Sequence, residues 1–210
     1  TFADVQRILS NHNITLPAAV ASYLAQAGSA DETPKTLPNS EAHLVVTPNQ
    51  AFAHTEAWAA AQGLNVLYLG DQISGESKDV AQVMAGIAKH IHANNAPVAK
   101  PALLLSGGET TVTVRNHAGK GGRNTVFLLA LAHALQGHEG IYALAADTDC
   151  IDGSEDNAGA WLTPETWQQA QQLGLDAETL LANDLAYDYF ERLQQLLQTG
   201  PTRTNSNDVR

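Results

Sequence analysis

The chain has 210 residues, 44% of them apolar and 6% aromatic, with a formal net charge of −11. That suits one globular domain, or one domain with an attachment, and no apolar run nears the ~18 residues needed to cross a bilayer. The surplus of acids argues against a broad nucleic-acid surface, which takes clustered Lys and Arg. Neither a nucleic acid nor a membrane is an expected partner.

The opening "TFADVQRILS" lacks the pattern of a signal peptide. It also lacks an initiating methionine, which points to a piece of a longer protein. The single cysteine, Cys150, excludes an internal disulfide and fits a reducing, cytoplasmic setting. With no evident base nearby, it reads as a buried thiol rather than a nucleophile.

Residues 2–10 and 16–26 predict short helices, with Pro17 at the start of the second. The polar stretch 28–40 carries two prolines and reads as a linker. Residues 1–40 are thus a helical leader and linker, ahead of a domain over 41–210. From residue 43 the runs "HLVV", "VLYL", "ALLL" and "IYALAA" predict strands, with helices between them. Val80, Val83, Met84, Ile87 and Ile91 mark one face of a helix over 76–92. The helix over 124–136 is apolar nearly all round and should be buried. "VTVR" at 112–115 is a further strand candidate. Tyr189, Phe190, Leu193, Leu196 and Leu197 form a last helical stripe. The expected class is α/β, a largely parallel or mixed sheet flanked by helices on both faces.

In such sheets ligands gather at the carboxyl ends of strands. Four polar segments stand out. "SGGETT" (106–111) follows a strand, and its glycines permit a sharp turn that projects Glu109. A plain strand-to-strand turn is the alternative. "AGKGGRN" (118–124) fails the Walker and dinucleotide patterns. It still has the parts of an anion site: bare amides, a helix N-terminus, mobile Lys120 and the fork of Arg123. The other reading is a glycine loop for tight packing. "DTDCIDGSEDNAG" (147–159) fails the calcium-loop pattern. Two of its acids would suffice for Mg²⁺, while others could simply cap the next helix. "TGPTRTNSND" (199–208) is rich in hydroxyls and amides suited to phosphate or sugar, or is a frayed end. The eight histidines show no i, i+4 pair, so zinc is not expected, and only His117 lies beside the glycine loop.

In this order, "GGETTVTV", "GKGGRN", "DTDCIDG…AGA" and "TGPTRTN…ND" resemble the C-terminal region of the glycerate 2-kinase family, the MOFRL domain, often labelled hydroxypyruvate reductase. The match spans roughly 103–208. Residues 1–100 resemble, with weaker signatures, the segment that precedes this region. The resemblance implies transfer of the γ-phosphoryl of ATP to the 2-hydroxyl of D-glycerate with Mg²⁺. It also implies a cleft between two domains, with the larger N-terminal domain and its catalytic lysine mostly absent from this chain. That domain would be a partner, and there is room for a homo-oligomer.

Phosphoryl transfer asks for positioning and charge neutralisation. On the resemblance, Arg123 contacts the phosphoryl group or the glycerate carboxylate. Glu109, with Asp147 or Asp149, holds Mg²⁺ or orients the substrate hydroxyl. Gly107, Gly108, Thr110, Lys120, Gly121, Gly122, Asn124, Thr202, Thr204 and Asn205 bind substrate or nucleotide. Lys120 stands where the family usually has Arg, Arg203 where it has Gly, and Ser206 where it has Val. Two alternatives remain: an NAD(P)H-dependent hydroxypyruvate reductase, which predicts a fingerprint this sequence lacks, or a non-catalytic anion-binding module.

Overall fold

A computed structural model describes residues 1–28 and 31–210. Thr1–Leu44 and Val45–Arg210 form two compact units. In the first, α1 (Phe2–Asn11) opens on a capping box, in which Thr1 Oγ1 accepts from the Asp4 amide. Pro17 immediately precedes α2 (Ala18–Gln26). Neither helix buries a residue.

The expected strand at "HLVV" does not form, and Leu44 and Val45 are exposed. Strand propensity reflects fit to a pleated, half-buried surface. Among the described residues no strand pairs with this run.

The second unit begins with α3 (Pro48–Ala61), capped by Thr47 and started by Pro48. Then come β1 (Asn65–Tyr68), α4 (Ser77–Asn94) and β2 (Ala102–Leu105). β1 and β2 pair in parallel around the α4 crossover, Asn65 opposite Ala102 and Tyr68 opposite Leu105. At Ser106 the chain leaves this pair and enters a second sheet as β3 (Gly107–Gly108).

That sheet has five strands in the order β3-β7-β4-β5-β6, with β4 (Ala143–Asp147), β5 (Gly159–Leu162), β6 (Leu196–Leu197) and β7 (Asp208–Val209). Every neighbour in it is antiparallel. The sheet arrangement is therefore mixed, not largely parallel. β4 returns directly as β5 through the acidic loop, and the tail inserts as β7, so neither step uses a helical crossover.

Between the sheet strands lie α5 (Arg123–Leu135), α6 (Pro164–Gln172), α7 (Ala177–Ala182) and α8 (Ala186–Leu193). α5 is the helix expected to be buried, and it is: Asn124 to Ala132 and Leu135 are all enclosed. It packs against α4, α7, α8, β4 and β5. Each buried Leu or Phe on it contributes about 1.5–3 kcal/mol, which fixes the helix and hence Arg123 at its first turn.

Three smaller expectations need correction. "VTVR" forms no strand; only Thr111 makes an isolated bridge to Glu76. Val83 is 64% exposed, because it lies 100° round the helix from buried Met84. Leu196 and Leu197 belong to β6, since Gln194, with φ +57°, ends α8.

Candidate active site

Four segments converge on an open cleft of about 1180 Å³ in the second unit. They are the turn after β3 with Glu109 and Thr110, the glycine loop from Gly121 to Arg123, the acidic loop with Asp147 and Asp149, and the tail from Asn205 to Asp208. The loop after β1 adds Asp71, Gln72 and Ser74.

Arg123 sits at their meeting point. Its Nη1 donates to Glu109 Oε1 at 2.6 Å, and its Nη2 to Asp147 Oδ2 at 2.6 Å and Asp208 Oδ1 at 3.3 Å. The Asp208 side chain is fully buried and also accepts from Asn124 Nδ2 and Arg210 Nη2. Burial works against the Arg123 charge, yet Asp208, Glu109 and Asp147 outweigh it and hold its pKa above the usual value. Arg210 lies deeper, over the Phe127 ring, with Nη2 also donating to Thr110 Oγ1. Burial pushes its pKa down, Arg123 adds to that, and Asp208 opposes it. Its Nε and Nη1 are buried without partners among the described residues.

Two glycines have steric reasons. Gly108 has φ +120°, and a Cβ there would stand 2.1 Å from the Ile73 carbonyl oxygen. At Gly122 a Cβ would stand 2.3 Å from both the backbone carbon and Oδ1 of Asp152. That closeness has a purpose. Asp152 accepts from the amides of Asn124 and Thr125 at 2.9 and 2.8 Å, so it caps α5 from a distant loop. Burial raises the Asp152 pKa, and these amides pull it back. This corrects the expectation that the start of α5 points its amides at a ligand. Those of Asn124 and Thr125 serve Asp152, and that of Gly122 serves Thr125 Oγ1. The glycine loop packs closely, as the second reading of it held, and it still presents Arg123.

Burial pushes the Asp147 carboxyl up to about 6; the Asp149 amide and Arg123 lower it, while Asp208 and Asp149 raise it. A raised carboxylate pKa contributes stability that is fully present below the unfolded value of 3.8 and is lost as pH climbs through about 6. Asp147→Asn removes the ionisation. Its melting temperature, relative to the parent, should improve steadily between about pH 4 and pH 7. A pH-independent difference would show that Asp147 ionises normally.

Not every expected residue reaches the cleft wall. Gly108, Glu109, Thr110, Gly121, Gly122, Arg123, Asp147, Asp149 and Asn205 line it. Gly107 and Asn124 are buried behind it. Lys120 instead pairs with Glu155 at 3.4 Å and lies over the Tyr187 ring. Thr202 and Thr204 donate to the Thr148 carbonyl, which shapes the tail. His117 is exposed and outside the lining. Cys150 is buried, its sulfur accepting from Thr199. Arg203 does adopt φ +61°, a conformation that costs an L-residue about 1 kcal/mol. Sequence reasoning missed Arg210, Asp71 and the capping role of Asp152.

Comparison with known proteins bears on the same segments. At 42% identity over 211 residues the chain resembles a protein of Agrobacterium vitis provisionally named a hydroxypyruvate reductase, covering all of this chain and 54% of that one. A D-glycerate 2-kinase of Thermotoga maritima is 33% identical over 209 residues, with 49% of it covered. A crystal structure of glycerate kinase from Thermotoga maritima superposes with a TM-score of 0.77 at 32% identity, over all of this chain and 49% of that one. The chain thus spans about half the length of the curated relatives it matches. The MOFRL family model matches residues 102–208, a stretch that takes in Glu109, Arg123, Asp147 and Asp208 alike, and the chain belongs to that family.

Proposed function

We propose that this chain is the C-terminal half of a glycerate 2-kinase, which transfers the γ-phosphoryl of ATP to the 2-hydroxyl of D-glycerate. The seating of Arg123 carries this reading. Two buried carboxylates, Asp147 and Asp208, hold its guanidinium on the wall of a cleft large enough for both substrates. A fork fixed in this way suits the charge that develops on a phosphoryl group, or a substrate carboxylate. The names of the Thermotoga maritima relatives agree with it. The N-terminal domain, bearing a catalytic lysine, would be the partner that completes the site.

No group of three potential metal ligands forms among the described residues. Mg²⁺ does not require one, since it binds through one or two carboxylates with waters and phosphates. Asp147 and Asp149 both line the cleft. Asp149 Oδ1 accepts from the Ile151 amide, and its other oxygen has no hydrogen-bond partner among the described residues. These two acids would hold Mg²⁺, which supplies positive charge to the phosphates of ATP. Glu109 also lines the cleft and would orient the substrate hydroxyl. Asp208 and Asn124 keep Arg123 in place from behind.

The test is a pair of assays on the whole protein that carries this chain. ADP release that depends on D-glycerate supports the proposal. Oxidation of NADH by hydroxypyruvate without ADP release would replace it with the reductase reading. Binding of an anion with neither turnover would leave a non-catalytic binding module.

A further inference from the structure

The three acids around Arg123 are not equivalent. Asp147 is buried and also accepts from the Asp149 amide. Asp208 is buried and is shared with Asn124 and Arg210. Both are fixed parts of the wall. Glu109 is different: its side chain is 72% exposed, and Arg123 is its single hydrogen-bond partner among the described residues. With Arg210 counted, three carboxylates share two guanidiniums, which still leaves an excess of negative charge that repels an incoming anion. One of the two Nη1 donors of Arg123 is thus already taken by an exposed carboxylate.

We propose that Glu109 occupies the position of the substrate's anionic group on Arg123 and must swing away for that group to bind. The inference rests on the reading of Arg123 as the anion contact. Glu109 is then an internal competitor, which makes weak or single-point anions poor ligands. Once released, its carboxylate is free for the substrate hydroxyl. The two roles predict opposite signs for one substitution: Glu109→Gln tightens anion binding and slows turnover.

Calorimetric titration with inorganic phosphate, and separately with D-glycerate, reads the first effect. Exchanging an exposed charged partner is worth about 1 kcal/mol, so Glu109→Gln should bind roughly fivefold tighter than the parent protein. Glu155→Gln makes the same charge change outside the cleft and should shift binding less than about twofold. Arg123→Ala should abolish binding. In the whole enzyme Glu109→Gln should lower both KM for D-glycerate and kcat. Equal or weaker binding in Glu109→Gln overturns the proposal, as does an equal gain in Glu155→Gln. Binding that survives Arg123→Ala, or no saturable binding in Glu109→Gln, overturns it too. The kinase reading is decided separately, by ADP release.

Discussion

Arg123→Ala in the whole enzyme should lower kcat by about 10²–10³-fold, the usual cost of deleting one preorganised donor to developing charge. The guanidinium enters the cleft on the first turn of a helix that is buried nearly all round, which fixes where it stands. The substitution also strips Asp147 of its cation, whereas Asp208 keeps Arg210. Some loss of stability is therefore expected, and circular dichroism should show the variant still folded. Arg123→Lys sharpens the test. It keeps one charge but cannot donate from two separate nitrogens to Glu109 and Asp147 together. Its turnover should fall between the parent and the alanine variant. Steady-state kinetics within a fewfold of the parent for Arg123→Ala would remove Arg123 from the chemistry.

The second large effect is on folding. Gly122→Ala should destabilise the protein by about 3 kcal/mol or more, because the new methyl group meets a buried carboxylate with nowhere to retreat. Asp152 is held by the amides of Asn124 and Thr125, and its own amide donates to the Asn157 carbonyl. Moving it uncaps α5, the centre of the core. At about 2–4 °C per kcal/mol for a chain of this size, the melting temperature should drop by roughly 6–12 °C. Asp152→Asn keeps the shape and one acceptor, so it should cost less than Gly122→Ala. A melt of Gly122→Ala within about 2 °C of the parent would show that the loop has room to spare.

Much of the site was legible because it is written in short local patterns. Glycines beside Arg123, ahead of an all-apolar helix, announced both the loop and α5. Asp147 and Glu109 were readable because each follows a recognisable strand. What escaped depends on distant partners. Asp152 looked like one acid among five in its loop, and nothing local says that it caps a helix beginning 29 residues earlier. Arg210 follows a polar tail with no apolar run to mark it, yet pairing with Ser106 carries it under Thr110. "HLVV" erred the other way: its composition is right for a strand, but hydrogen-bonded neighbours, not composition, make one.

The position of β7 has a consequence for biogenesis. β3 and β4 are both translated well before residue 208, yet in the sheet, among the described residues, they are bridged by the strand that residues 208 and 209 form between them. The five-stranded sheet therefore cannot be completed while that strand is still inside the ribosome. A nascent chain stalled short of it could already pair Arg123 with Glu109 and Asp147, but their strands would not share a sheet, and the buried Asp208 that Arg123 also needs would be missing.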